Sequence, residues 1–118
     1  MLTYSKMQII EKCTHFLKAR QDRYPPFIFE GTYVYAQKIA EEKIGPKPNI
    51  YIISFLNGSK LLVKAHRNFE QSYFNELKTG KIYHANQRDI EGYYKCLVVS
   101  DEDIDIPVHL RPLQDQIL

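Results

Sequence analysis

The dipeptide Asn57-Gly58 stands between two apolar-rich runs, residues 50–56 and 60–66, and nothing else in the chain narrows the fold as far. A tight mirror-image turn needs positive φ at both central residues, which Asn and Gly accept at little cost, so the pair predicts a β-hairpin. A two-residue turn also sets the register. Ile50, Ile52 and Leu56 then share a face with Leu61, Val63 and Ala65, while Tyr51 and Phe55 lie opposite Lys64 and Lys60 on the other. The first face is dry and the second is aromatic and basic.

Upstream of the hairpin the apolar period is helical. Met7, Ile9, Ile10, Cys13, Phe16 and Leu17 recur at three- and four-residue spacing, which predicts a helix over residues 5–22 with Ser5 and Gln8 as a capping box. Tyr24-Pro25-Pro26 ends it, because a residue before proline is pushed out of the helical region. Phe27-Ile28-Phe29 reads as a short edge strand. Ala36, Ile39, Ala40 and Ile44 align on one side of a second helix over 32–44. Gly45-Pro46-Lys47-Pro48-Asn49 is a stiff connection between a helical part, 1–46, and a β-rich part, 49–113.

Downstream, residues 69–77 read as a short helix, with Phe69, Tyr73 and Leu77 aligned. Residues 81–86 and 93–99 read as strands, and 104–110 as a last strand whose Pro107 marks an edge. The expected fold is a single α+β domain, 1–118, in which an antiparallel sheet packs against N-terminal helices and helix 5–22 crosses the dry hairpin face.

Length and composition agree with one self-sufficient core. A chain of 118 residues with 44% apolar content and fifteen aromatics is too apolar for disorder and long enough to fold without disulfides or metal. No run reaches the roughly 18 apolar residues of a membrane span, and the first residues lack a secretory signal, so the expected setting is cytoplasmic with no membrane association. Cys13 and Cys96 have no metal or redox spacing and read as reduced thiols facing the core. Residues 1–95 carry a net charge of +6 and the remainder −4, a mildly basic body with an acidic tail.

Residues 60–113 resemble the small SH3-like barrel domains that recur in bacterial and phage proteins. The resemblance rests on Leu61-Leu62-Val63-Lys64, on Leu77-Lys78-Thr79-Gly80-Lys81-Ile82-Tyr83, on Gly92-Tyr93-Tyr94-Lys95 and on Pro107-Val108-His109-Leu110. It implies an SH3-like half-barrel in which Leu77 and Tyr83 fill the interior, Gly80 makes a tight turn and the Tyr93 strand pairs with the Ile82 strand. It also implies binding, with no shared catalytic residue.

The chemistry-bearing residues agree with that implication. His15, His66, His84 and His109 are scattered, and Cys13 and His15 on one helix would point about 200° apart, so no metal site, cofactor or catalytic residue is expected. The expected function is that of a small non-enzymatic binding protein, a regulator or inhibitor of a protein partner of the kind found on phages and mobile elements. The alternative is single-stranded nucleic-acid binding, with Tyr51, Phe55 and Tyr83 stacking on bases and Lys60, Lys64, Arg67, Lys81 and Arg88 on phosphates. On either reading the candidate contact residues are Tyr51, Phe55, Lys60, Lys64, Arg67, Tyr83 and Arg88. The acidic residues Asp101, Glu102, Asp103 and Asp105 form a second candidate contact, expected to fold back over the basic strand face, the alternative being that they project from it as a contact for a basic partner.

Overall fold

The structure, a computed structural model, describes residues 2–118. It contains one α-helix, α1 (Tyr4–Glu11), and eight strands: β1 (His15–Lys18), β2 (Tyr33–Ile39), β3 (Asn49–Phe55), β4 (Lys60–Asn68), β5 (Gln71–Glu76), β6 (Ile82–Tyr83), β7 (Ile90–Ser100) and β8 (Arg111–Leu113). They hydrogen-bond in the order β6-β5-β4-β3-β7-β2-β1-β8. The sheet is mixed, because β8 runs parallel to β1. It is open, with β6 and β8 as edges, and larger than the expected half-barrel. The Tyr93 strand pairs with β3, placing Tyr93 opposite Ile53, while the Ile82 strand pairs with β5. Both pairings depart from the SH3-like arrangement.

The chain gathers into two compact units, Met1–Lys38 with Cys96–Asp115, and Ile39–Lys95 with Gln116–Leu118. In the first, α1 is much shorter than the expected helix. The Thr3 hydroxyl caps it by accepting from the Lys6 N–H (3.2 Å), in place of the expected Ser5 box. The chain leaves the helix after Lys12 and residues 15–18 pair with β2, so strand pairing overrides the helical spacing of Phe16 and Leu17. The expected helix over 32–44 is β2 followed by a single 3-10 turn, Glu41–Lys43. Val34, Tyr35 and Ala36 are consecutive and all buried, so both faces of this strand are dry and the period-two signature is missing. Residues 25–27 make a turn closed by a Tyr24–Ile28 bridge, and 27–29 form no edge strand. Ile10, Cys13, Tyr35, Val98 and Leu110 form the core of this unit.

The second unit holds the expected hairpin, shifted by one residue. Ser54 pairs with Lys60 and Ile53 with Leu61. The Gly58 N–H donates to Phe55 O (2.9 Å) and the Phe55 N–H to Ser59 O (2.9 Å), which leaves a three-residue loop, Leu56-Asn57-Gly58. Gly58 alone is left-handed there, at φ 91°. Such a loop adds a residue between the strands, and a one-residue slip exchanges their faces. Tyr51, Ile53, Leu61, Val63 and Ala65 therefore form the core face with Phe74 and Tyr93. Burial of each large side chain there contributes about 1.5–3 kcal/mol.

Gly58→Ala should cost about 1–2 kcal/mol in a thermal melt, because an L-residue is strained at that φ. Gly45→Ala, in open space, is the control and should be near neutral.

The expected short helix over 69–77 is β5, joined to β4 by a two-residue turn at Phe69 and Glu70. The expected last strand over 104–110 is irregular. The strand follows it at 111–113, where the edge proline is Pro112.

Candidate binding site

The face exchange dissolves the expected aromatic and basic surface. Tyr51 is fully buried in the core of its unit, and Phe55 shares that face half-buried. Lys60 and Lys64 lie on the opposite face. Lys60 is buried, its Nζ donating to Gly58 O (3.0 Å) and its backbone bonded to Gln116 and Leu118. Of the four, only Lys64 is exposed. Arg88 is exposed on the 3-10 turn Gln87–Asp89, where its N–H caps onto Asn86 Oδ1 (3.1 Å).

Tyr83 lines two concavities, one shared with Arg67 and the other with Phe55. On one side lies a polar groove of about 350 Å³, lined by Glu41, Arg67, Glu70, Ser72, His84 and Gln87 among others. Arg67 lies opposite Ser72 in the β4–β5 ladder, and its Nη1 donates to Ser72 Oγ (2.8 Å). The same nitrogen is 3.8 Å from Glu41 Oε1. Gln87 Nε2 bridges Glu41 Oε2 (3.1 Å) and Tyr93 OH (2.9 Å), and the Tyr93 ring stacks on Phe74 at 5.8 Å. These polar groups are paired with one another.

On the other side of Tyr83 is a more apolar groove of about 460 Å³, formed with Phe55, Leu56, Asn57, Ser59, Asp89 and Leu118. Phe55 and Tyr83 meet edge to face at 6.2 Å. Leu56 and Leu118 are 70% and 66% exposed, so the groove offers apolar surface to solvent. Burial, and then the carboxylates of Asp89 and Glu76, hold the Tyr83 phenol above its usual range. Glu41, Glu70, Glu76 and Asp89 thus surround or line this region against Arg67, already paired with Glu41. The charges that act on the Tyr83 phenol are carboxylates, and Arg88 is exposed on the same turn as Asp89.

The acidic residues 101–105 belong to the other unit. Glu102 accepts from the Leu2 N–H (2.8 Å) and its own N–H donates to Ser100 Oγ (3.1 Å), while Asp101, Asp103 and Asp105 are exposed. Those bonds stay within the unit and involve none of Lys60, Lys64 and Arg67.

The histidines remain dispersed. His15 Nδ1 is 2.8 Å from Thr14 Oγ1, His66 stacks on Tyr73 at 5.1 Å, His84 lines the polar groove and His109 donates to Glu11 O at 2.9 Å. Among the described residues no three His, Cys, Asp or Glu side chains are grouped to hold a metal ion. Burial pushes the thiols of Cys13 and Cys96 up to about 11 and 12. Both are protonated at neutral pH and poorly nucleophilic.

Glu41, Ser72 and Gln87 carry the polar wall and were not singled out by sequence. Ser72 is brought to Arg67 by a turn without Gly or Asn at its centre, and Glu41 comes from a segment with helical periodicity. No family model, curated protein or solved structure matches the chain. None of its described helices is long and apolar enough to cross a membrane.

Proposed function

We propose that this chain is a small non-enzymatic binding protein that regulates or inhibits a protein partner. The partner presents a lysine- or arginine-bearing segment to the Tyr83 site. One observation carries the reading: the exposed aromatic and apolar surface around Phe55 and Tyr83 is set among Asp89, Glu76, Glu41 and Glu70. An apolar anchor surface with a charged rim is the anatomy of a protein interface, and the sign of the rim selects a cationic partner. Phosphates would meet repulsion there, which counts against nucleic-acid binding at this surface. The mutual pairing of Arg67, Glu41, Gln87 and Tyr93 supports a site that holds a ligand without transforming it.

The test is capture from the native host by the immobilised chain, with nuclease treatment and Asp89→Lys as controls. A nuclease-resistant protein whose capture falls at least tenfold with Asp89→Lys is expected. Salt-sensitive binding of a single-stranded oligonucleotide in anisotropy, lost on Lys64→Ala, would replace this reading with the nucleic-acid one. Turnover of a substrate abolished by one side-chain change would replace it with catalysis.

A further inference from the structure

The hairpin of β4 and β5 closes at Asn68 and Gln71, which leaves Phe69 and Glu70 as its two central turn residues. Their φ values are 49° and 63°. This is the conformation for which Asn-Gly is favoured, and a bulky aromatic at positive φ is an outlier. Strain of this kind persists where the surroundings hold it or where function uses it. The surroundings do not repay it here, because the Phe69 side chain is 99% exposed and gains nothing from packing. Glu70 lines the polar groove with Arg67 and Tyr83, so the tip adjoins the site already described.

We propose that Phe69 is a partner anchor, inserted by the hairpin into an apolar pocket of the bound protein, with Glu70 meeting a lysine or arginine on the pocket rim. The proposal rests on the protein-binding reading above and adds a second contact outside the grooves. Charge selects the occupant. A nucleic acid or an anionic bilayer would be repelled by Glu70, the charge beside Phe69 at the tip. The grooves of a second copy are lined by carboxylates as well, so they would reject the Glu70 that accompanies Phe69. The two-residue turn fixes the backbone at Phe69, so insertion orders only the two side-chain torsions.

The proposal predicts opposite effects of one change on stability and binding. In the full chain, Phe69→Asn with Glu70→Gly installs the favoured turn residues and should raise Tm by about 5 °C. The same variant should weaken capture of the partner at least tenfold. Photocrosslinking with p-benzoylphenylalanine at position 69, in host cells, should give one protein adduct that is absent with the probe at the fully exposed Val108. That adduct should contain the protein whose capture the double variant loses.

An unchanged or lower Tm would make the two residues structural and overturn the anchor. So would undiminished capture, a nuclease-sensitive adduct, an adduct of twice the chain's own mass, or none at position 69. A probe at Ile82, 70% exposed beside Tyr83, separates the two claims. An adduct at 82 with none at 69 removes the anchor and leaves the groove, whereas no adduct at either position removes both.

Discussion

Between pH 9 and 12 the folded chain should lose most of its stability. Burial pushes the Cys13 thiol from 9.0 to about 11. It pushes the Tyr35 phenol from 10.0 to about 12, with smaller contributions from Tyr33, Asp103 and Cys13. Cys96 rises from 9.0 to about 12, by burial and then by Cys13. Burial, followed by the Glu91 hydrogen bond, raises Tyr94 as well. In each case the folded state holds its proton more tightly than the unfolded chain. The resulting stability is complete below the unfolded values and is lost as pH rises through the folded ones. Cys13 and Tyr35 are 2% and 0% exposed, so each two-unit shift corresponds to about 3 kcal/mol at full loss. Together they approach ~6 kcal/mol, comparable with the whole stability of many small domains.

Urea midpoints between pH 8 and 11.5 measure this directly. Cys13→Ala should blunt the fall that begins near pH 9, and Tyr35→Phe the fall that begins near pH 10. Tyr35→Phe should cost little at neutral pH, since the buried Tyr35 hydroxyl has no hydrogen-bond partner among the described residues. A midpoint that stays flat to pH 11 would mean that these groups ionise in the folded state without penalty.

These buried phenols and thiols also show how much of the fold the residue pattern carried. Cys13 faces the core as its apolar spacing implied, although the helix that carries the spacing ends at Glu11. Tyr35 lies in a segment where Ala36, Ile39, Ala40 and Ile44 happen to repeat at helical intervals. Pairing with β1 decides the outcome there, and a strand buried on both faces offers no alternation to compete with that repeat.

The β3–β4 hairpin was legible from Asn57-Gly58, but its face assignment depended on whether the loop held two residues or three. That choice lies in one backbone angle, the φ of Asn57, which is not positive as a two-residue mirror-image turn would need. The one-residue difference in register redistributes the candidate site. Tyr51 went to the core and Lys60 to the other face, while Phe55, Arg67 and Tyr83 remained. Their neighbours Glu41, Ser72 and Gln87 arrive through non-local pairing and a 3-10 turn, for which the local sequence carries no period.

Asp115 is another residue whose role only the folded chain reveals, and it carries the second large expected effect. In sequence it is one more acid in an acidic tail. In the structure its side chain has no exposed surface, and it accepts from the Arg20 N–H (2.6 Å) and from Arg23 Nε, which is 3.0 Å from Oδ1 and 3.1 Å from Oδ2. The pair joins the segment after β8 to the loop after β1 within one unit.

Removing one member of a buried ion pair strands the other charge, which typically costs about 3–5 kcal/mol. The two members are not equivalent, because the Arg23 side chain keeps 16% of its surface exposed and the carboxylate keeps none. Arg23→Ala leaves the buried charge without its cation and should fall in that range. Asp115→Ala lets the guanidinium reach water but orphans the Arg20 N–H, and should cost about 3 kcal/mol. The double variant has no stranded ion and should be more stable than the sum of the two losses implies, by about 2 kcal/mol in a denaturant double-mutant cycle. Strictly additive losses would show that the carboxylate is held by backbone hydrogen bonds alone and that Arg23 contributes as packing rather than as charge.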